Sequence, residues 1–254
     1  MSLDAVYFAP LVFFCIAFGF SMLGMGGAQL YVPILFWLGM DFKTEAIPLG
    51  LLLNVATSLS ATITYLRNRL VLWRVGLIIG AAMVALAPVG ALVNATLSAK
   101  VLILLFALFT IGAAVLMLSG WRPKTVQSSQ GRFTIWGVSA GSGIGFLAGL
   151  IGRGGGSFVV PTLYMMGLEP KKAVATSLLA VTMAATSGFI SHLAMAAHPD
   201  WVICGTCVAA VLGGSQIGSR LMAARVKSPT IRKAFGIVLL CIAGTLVVRD
   251  VLLG

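Results

Sequence analysis

The chain has 254 residues, of which 59% are hydrophobic and only 9% charged, and it carries a formal net charge of +11. A soluble domain carries about a quarter of its residues as charges, so the composition excludes one and points to an all-α integral membrane protein, whose spans satisfy their own backbone hydrogen bonds. The excess of base does not imply nucleic acid, because Lys and Arg collect between the apolar stretches, as they do in cytoplasmic loops.

The chain opens MSLDAVYF, with an acid and no base. It lacks the basic start of a signal peptide, and the first apolar stretch is expected to remain in the mature protein. The apolar stretches 5–23, 47–66, 75–94, 100–119, 133–151, 173–197, 201–222 and 233–252 are near the ~20 residues that cross a bilayer core. They predict eight full spans. Two shorter apolar pieces, 29–40 and 157–168, follow glycine clusters and predict broken spans. Residues 120–132 (GWRPKTVQSSQGR) form the one long polar stretch and predict a linker, dividing the chain into a first transmembrane unit, 1–119, and a second, 133–254. Cys204 and Cys207 form a CxxC, but within the apolar run VICGTCVAAV they read as small packing residues rather than a metal or redox site. No cofactor and no metal is expected.

The two units are copies. AFGFSMLGMGGAQLYVPILFWLGM (17–40) recurs as GFLAGLIGRGGGSFVVPTLYMMGL (145–168), displaced by 128 positions. The same register, without a gap, pairs Gly24 with Gly152, Gly26 with Gly154, Gly27 with Gly155, Pro33 with Pro161, Lys43 with Lys171, Trp73 with Trp201 and Gly90 with Gly218. Charge in the connections orients the copies. Loop 67–74 holds Arg67, Arg69 and Arg74, whereas its counterpart near 194–202 has no base. Loop 95–100 has only Lys100, against Arg220, Arg225, Lys227, Arg232 and Lys233 in 220–233. Under the positive-inside rule, equivalent loops then lie on opposite membrane faces. That requires five segments per copy: two inverted-topology repeats in a bundle of eight full and two broken spans. Both termini would lie outside an inner membrane, with linker 120–132 in the cytoplasm.

In such bundles substrate binds near the midplane, where helices are interrupted at matching positions. Gly26 and Gly27 in the first copy, and Gly154, Gly155 and Gly156 in the second, mark those interruptions. A helix restarting there aims free N–H groups and a positive dipole end at the gap, which suits an anion; the same glycines also serve close helix packing. Arg153 is the one cation within a break and stands where the first copy has Met25. It is either a bidentate partner for an oxyanion or a side chain snorkelling to headgroups. Gln29 and Ser157, aligned with one another, follow the breaks directly. Asn54 aligns with Thr182 and Ser58 with Thr186, each pair sharing a helix face at a spacing of four, as pathway residues or as bridges between helices. His192 is a candidate for proton coupling or for packing. All six acids fall in loops or at span ends, so no buried carboxylate is available to relay a cation.

The duplicated pattern GFxxGLxGxGGGxxxVP, best seen from Gly145 to Pro161, with LEPKKAVATSLL after Gly167 and LGGSQIGSRLMAARV at 212–226, resembles the TauE/SafE family of sulfite exporters over about residues 6–250. In the first copy Ala17 and Ala28 depart from the glycine pattern. The resemblance implies a secondary transporter, and not an enzyme, for a small anion such as sulfite or an organosulfonate. Its partners would be that anion and membrane lipid, with homo-oligomerisation left open. Rival readings are a membrane redox subunit, for which His192 and His198 are the only histidines, and a scaffold subunit without transport.

Overall fold

The computed structural model describes residues 3–94, 99–119, 130–151, 155–193 and 201–246. Within them the chain forms ten α-helices and one π turn. They are α1 (Leu3–Leu23), α2 (Ala28–Trp37), the π turn Phe42–Ala46, α3 (Ile47–Arg67), α4 (Trp73–Asn94), α5 (Ala99–Leu118), α6 (Gln130–Ile151), α7 (Gly156–Met165), α8 (Pro170–Leu193), α9 (Trp201–Ala224) and α10 (Ser228–Leu246). Every long apolar stretch of the sequence coincides with a long helix, and both short pieces coincide with short ones. Helix α6 starts inside the expected linker.

Helices α8 and α9 have 24 residues and α10 has 19, so the long helices run about 29–36 Å at a rise of ~1.5 Å per residue. Helices α2 and α7 have 10 residues each, about 15 Å, or half the hydrocarbon thickness. Three described stretches, Thr44–Arg67, Trp73–Gly90 and Pro170–His192, are by themselves long and apolar enough to cross a membrane. The periphery is also apolar: Phe8, Leu92, Leu108, Ile135, Trp136, Ile190 and Ile237 are exposed. Water would penalise such a surface, whereas lipid matches it. The chain is a multi-pass membrane protein.

The main packing pairs fall into two sets. Helix α1 packs on α9 as α6 does on α4; α3 packs on α9 as α8 does on α4; α2 lies on α3 as α7 lies on α8; and α3 meets α8 while α5 meets α10. Exchanging α1–α5 for α6–α10 leaves this scheme unchanged, as the 128-residue register requires. The closest approaches use glycine. The missing side chains of Gly214 and Gly218 let α9 rest directly on the carbonyls of Phe14 and Phe18, and those of Gly141 and Gly145 let α6 rest on Ile79 and Met83. These contacts also fix direction. Residues 14 and 18 pair with 214 and 218, so α1 and α9 run the same way, as α4 and α6 do. Gly76 and Gly80 meet Leu179 and Met183 in parallel. Helix α8 runs against α3, because Gly188 faces Leu51 at one end while the Leu72 N–H donates to Thr176 Oγ1 at the other, at 3.0 Å. Tyr65 Oη donates to Ser21 O at 2.8 Å, tying the end of α3 to the end of α1.

Candidate functional site: two glycine breaks in contact

The first break begins where α1 stops. The N–H groups of Gly24 and Met25 both donate to Phe20 O, at 2.9 and 3.2 Å, with Gly24 at φ 79°, a Schellman ending that glycine adopts without strain. Gly26 and Gly27 follow at φ 82° and 139°, where a Cβ is disfavoured. The chain reverses and restarts as α2, with Gly27 O accepting from Leu30 N and Tyr31 N at 3.0 Å each. Three left-handed glycines in four residues therefore make the reversal. Helix α2 then descends along α3: its start faces Asn54 and Thr57, and Val32 packs on Gly50.

Around this reversal the predicted residues take defined places. Asn54 Oδ1 accepts from the Ala28 N–H at 3.4 Å, and its carboxamide fills the space over Gly26 that a side chain there would need. Ser58 is fully buried and donates to Asn54 O at 2.7 Å, supporting Asn54 from within its own helix. Several residues that sequence reasoning missed complete the wall. Ser177 Oγ lies 2.8 Å from Gly24 O, so α8 clamps the end of α1. Tyr31, fully buried, shares a hydrogen bond with Thr57 at 2.9 Å. Ser177 and Tyr31 occupy the register positions of Leu49 and Val159, so the repeat carries no signal for either.

The second break meets the first. Helix α7 starts at Gly156, with Gly155 O accepting from Phe158 N at 3.0 Å and Val159 N at 3.3 Å. The backbone of Gly156 lies so close to Met25 O that no Cβ fits between them. Gln29, the second residue of α2, donates through Nε2 to Ser157 Oγ, the second residue of α7. The two residues are 128 apart, and both are buried, at 7% and 2% exposure. The N-termini of α2 and α7 are thus joined by their own side chains. The Gln29 N–H of α2 and the Gly156 and Ser157 N–H groups of α7 precede the first intrahelical bonds, and each helix end adds about half a positive charge of dipole. No acid occurs among residues 24–29, 50–58, 155–157 or 174–186, so nothing in these segments neutralises that field. Among the described residues, Gln29 Oε1 is buried with no hydrogen-bond partner.

Arg153 and Gly154 lie outside the described residues. Thr182 and Thr186 stand apart from the break's hydrogen bonds: they donate to Leu178 O and Thr182 O of their own helix, at 2.7 Å each. They line a groove of about 510 Å³ between α4 and α8, with Val84, Met183, Ser187, Ile190 and Ser191. Val181, the neighbour of Thr182 on α8, abuts Gly26. His192 lies on α8 one residue beyond the lining residue Ser191 and is half-buried. Exchange of the halves maps the groove onto another, of about 440 Å³, between α3 and α9, lined by Ala56, Leu59, Ser60, Ile63, Leu212, Gly213 and Gln216. Here Gln216 Nε2 donates to Ser60 Oγ at 2.8 Å, Thr64 Oγ1 donates to Gln216 Oε1 at 3.2 Å, and Ser215 Oγ donates to Thr57 O at 2.7 Å. Cys204 and Cys207 are buried free thiols in α9, packed with Phe13, Leu35 and Leu53.

The comparisons place the chain among membrane transporters. Residues 9–246 match the family described as Sulfite exporter TauE/SafE. The chain is 29% identical over 259 residues to the protein of Bacillus subtilis (strain 168) named "Probable membrane transporter protein YunE", covering 91% of this chain and 93% of that one. It is 27% identical over 238 residues to a protein of Xylella fastidiosa (strain 9a5c) named "Probable membrane transporter protein", covering 90% and 89%. A Methanocaldococcus jannaschii protein, also named as a membrane transporter, is 29% identical over 182 residues, covering 68% and 67%. No solved structure gives a significant match. With a match spanning nearly its whole length, the chain belongs to the sulfite exporter TauE/SafE family, whose members are membrane transporters and not enzymes.

Proposed function

We propose that the chain is a secondary transporter that exports a small anion, such as sulfite or an organosulfonate, across the inner membrane by alternating access around the joined breaks. The observation that carries this reading is the Gln29–Ser157 contact, which sets two helix N-termini side by side in a buried place whose own segments hold no acid. Two such ends create a positive potential in a low-dielectric setting, where an oxyanion is the complementary charge. Gly26, Gly27, Gly155 and Gly156 bring backbone N–H groups within reach, Asn54 and Ser58 hold the first break open, and Arg153 and Gly154 belong to the second. Thr182 and Thr186 line a groove beside α8, with His192 farther along the same helix.

Eight full spans and two half-spans in inverted repeats, 1–119 and 133–254, fit the helix directions. Helices α1, α3 and α9 run one way and α4, α6 and α8 the other, so corresponding helices oppose each other. The distribution of base also fits. The Leu72–Thr176 bond brings Arg67, Arg69 and Arg74 to the end where α8 begins with Lys171 and Lys172. Lys171 Nζ donates to Ala223 O at 3.1 Å, and Ser228 Oγ donates to Glu169 at 2.6 Å, which adds Arg225, Lys227, Arg232 and Lys233 to the same end. Such a concentration supports a cytoplasmic location for this end, the orientation that would put linker 120–132 inside and both termini outside.

Export needs no coupling ion. Each negative charge leaving a cell at about 100 mV, inside negative, gains roughly 2.3 kcal/mol, equivalent to a gradient of about fiftyfold. The test is flux from liposomes loaded with sulfite or sulfoacetate. Efflux should accelerate when the side corresponding to the cytoplasm is made negative and slow when the potential is reversed. Leakage equal to that of protein-free vesicles, for every anion tried, would overturn the reading.

A further inference from the structure

We infer that the anion recognised at the joined breaks carries its own hydrogen-bond donor, an O–H or N–H, and that Gln29 Oε1 is the group that reads it. This inference rests on the anion-site reading above. The donors of the site, the first-turn N–H groups of α2 and α7, need only acceptor oxygens, which any oxyanion supplies. Gln29 adds the opposite requirement. Its Nε2 donates to Ser157 Oγ, and its Oε1 is buried at 7% residue exposure with no partner among the described residues. A buried carbonyl without a donor costs roughly 1–3 kcal/mol, and Gln29 bears that cost at the one place where both helix ends converge. A ligand that offers acceptor oxygens to the N–H groups and one proton to Oε1 satisfies the whole set; one with oxygens alone leaves the carbonyl unpaired. The class is therefore a protonated oxyanion, such as hydrogen sulfite, or a sulfonate bearing a hydroxyl or amine. Fully deprotonated dianions and plain alkyl sulfonates fit less well. A site built to pair a ligand O–H rejects the analogue without it far more strongly than an apolar pocket would.

The experiment compares matched monoanions on detergent-solubilised full-length protein by thermal shift and in liposomes by competition. Isethionate is set against propanesulfonate, which replaces the hydroxyl by a methyl, and bicarbonate against nitrate, both planar. The donor-bearing member of each pair should bind about five- to tenfold more tightly, the value of one hydrogen bond to a buried partner. In Gln29→Met, which removes the carbonyl at similar length, each ratio should fall to near one. Equal affinities within both pairs in the wild-type protein, or preference for nitrate over bicarbonate, as a reversed carboxamide would produce, overturn the inference while leaving an anion site in place. Failure of all four anions to bind removes both the inference and the reading on which it rests.

Discussion

The two breaks share a glycine cluster, yet their glycines do different work. In GMGGAQ, residues 24–29, Gly24, Gly26 and Gly27 hold backbone angles that a side chain disfavours. In the described part of the second break, Gly155 sits at φ −81°, open to any residue, and Gly156 begins an ordinary helix. There the glycines matter for their emptiness: Gly156 touches the Met25 backbone and Gly155 the tip of Met83. One copy makes the turn and the other fits into it. The repeated motif preserves an ability to bend and to approach closely, and each half uses a different part of it. Ala28 illustrates this. It replaces the glycine aligned with Gly156, and it is buried with its Cβ accommodated, because on the first side the turn is already complete.

Substitution separates the two roles, and Gly156→Ala should do the most damage. Its Cβ would collide with Met25 O, a backbone atom between two helix starts that cannot rotate away. Loss of about 3 kcal/mol or more is expected, seen as a large fall in the thermal midpoint of the detergent-solubilised protein together with loss of flux. A variant as stable as the parent would contradict the backbone contact on which the site is built. Gly26→Ala comes next. Left-handed backbone costs alanine about 1–2 kcal/mol, and the new Cβ also strikes Asn54 Oδ1. Adding Asn54→Ala should recover the collision but not the φ cost, so the double variant should fall between Gly26→Ala and the parent. Full recovery would show that space alone demands this glycine.

The contrast between Met25 and Arg153 gives a third and smaller test. Arg153→Met puts the first break's residue into the second. If the guanidinium binds the anion, affinity should fall about tenfold, near 1.4 kcal/mol, with the thermal midpoint in the absence of anion little changed. Undiminished flux would remove Arg153 from the binding site and leave the helix ends as its positive elements.

How much of this could be read from the residues differs by feature. Helix positions were legible because hydrocarbon thickness dictates the length of every apolar run, and the observed helices follow those runs. The register marked Gln29 and Ser157 as equivalent residues beside the two breaks, but their contact with each other depends on how the helices pack and was not legible. Alignment in the register does not carry the same contacts. Asn54 and Thr182 are aligned, but Asn54 reaches the restarting helix while Thr182 turns back on Leu178 O. Ser177, which grips Gly24 from 153 residues away, was not legible: a serine in an apolar helix has no pattern of its own, and only the packing of α8 on α1 assigns it a partner.

Gly155 is the mildest case, and it shows whether emptiness or conformation is conserved in the second break. Its φ accepts alanine without strain. The obstacle is Met83 Cε, 2.5 Å from the position of a Cβ, with Ala148 and Ile144 at 3.2 and 3.3 Å. Methionine has three rotatable bonds and yields readily, so Gly155→Ala should cost less than about 1 kcal/mol. The cost should shrink further in a Met83→Leu background, because the shorter side chain withdraws the offending carbon. The interaction term from the four thermal midpoints carries the result. A negligible coupling, with Gly155→Ala as damaging as Gly26→Ala, would mean that the second break also depends on left-handed backbone, and the two copies would then bend by the same device.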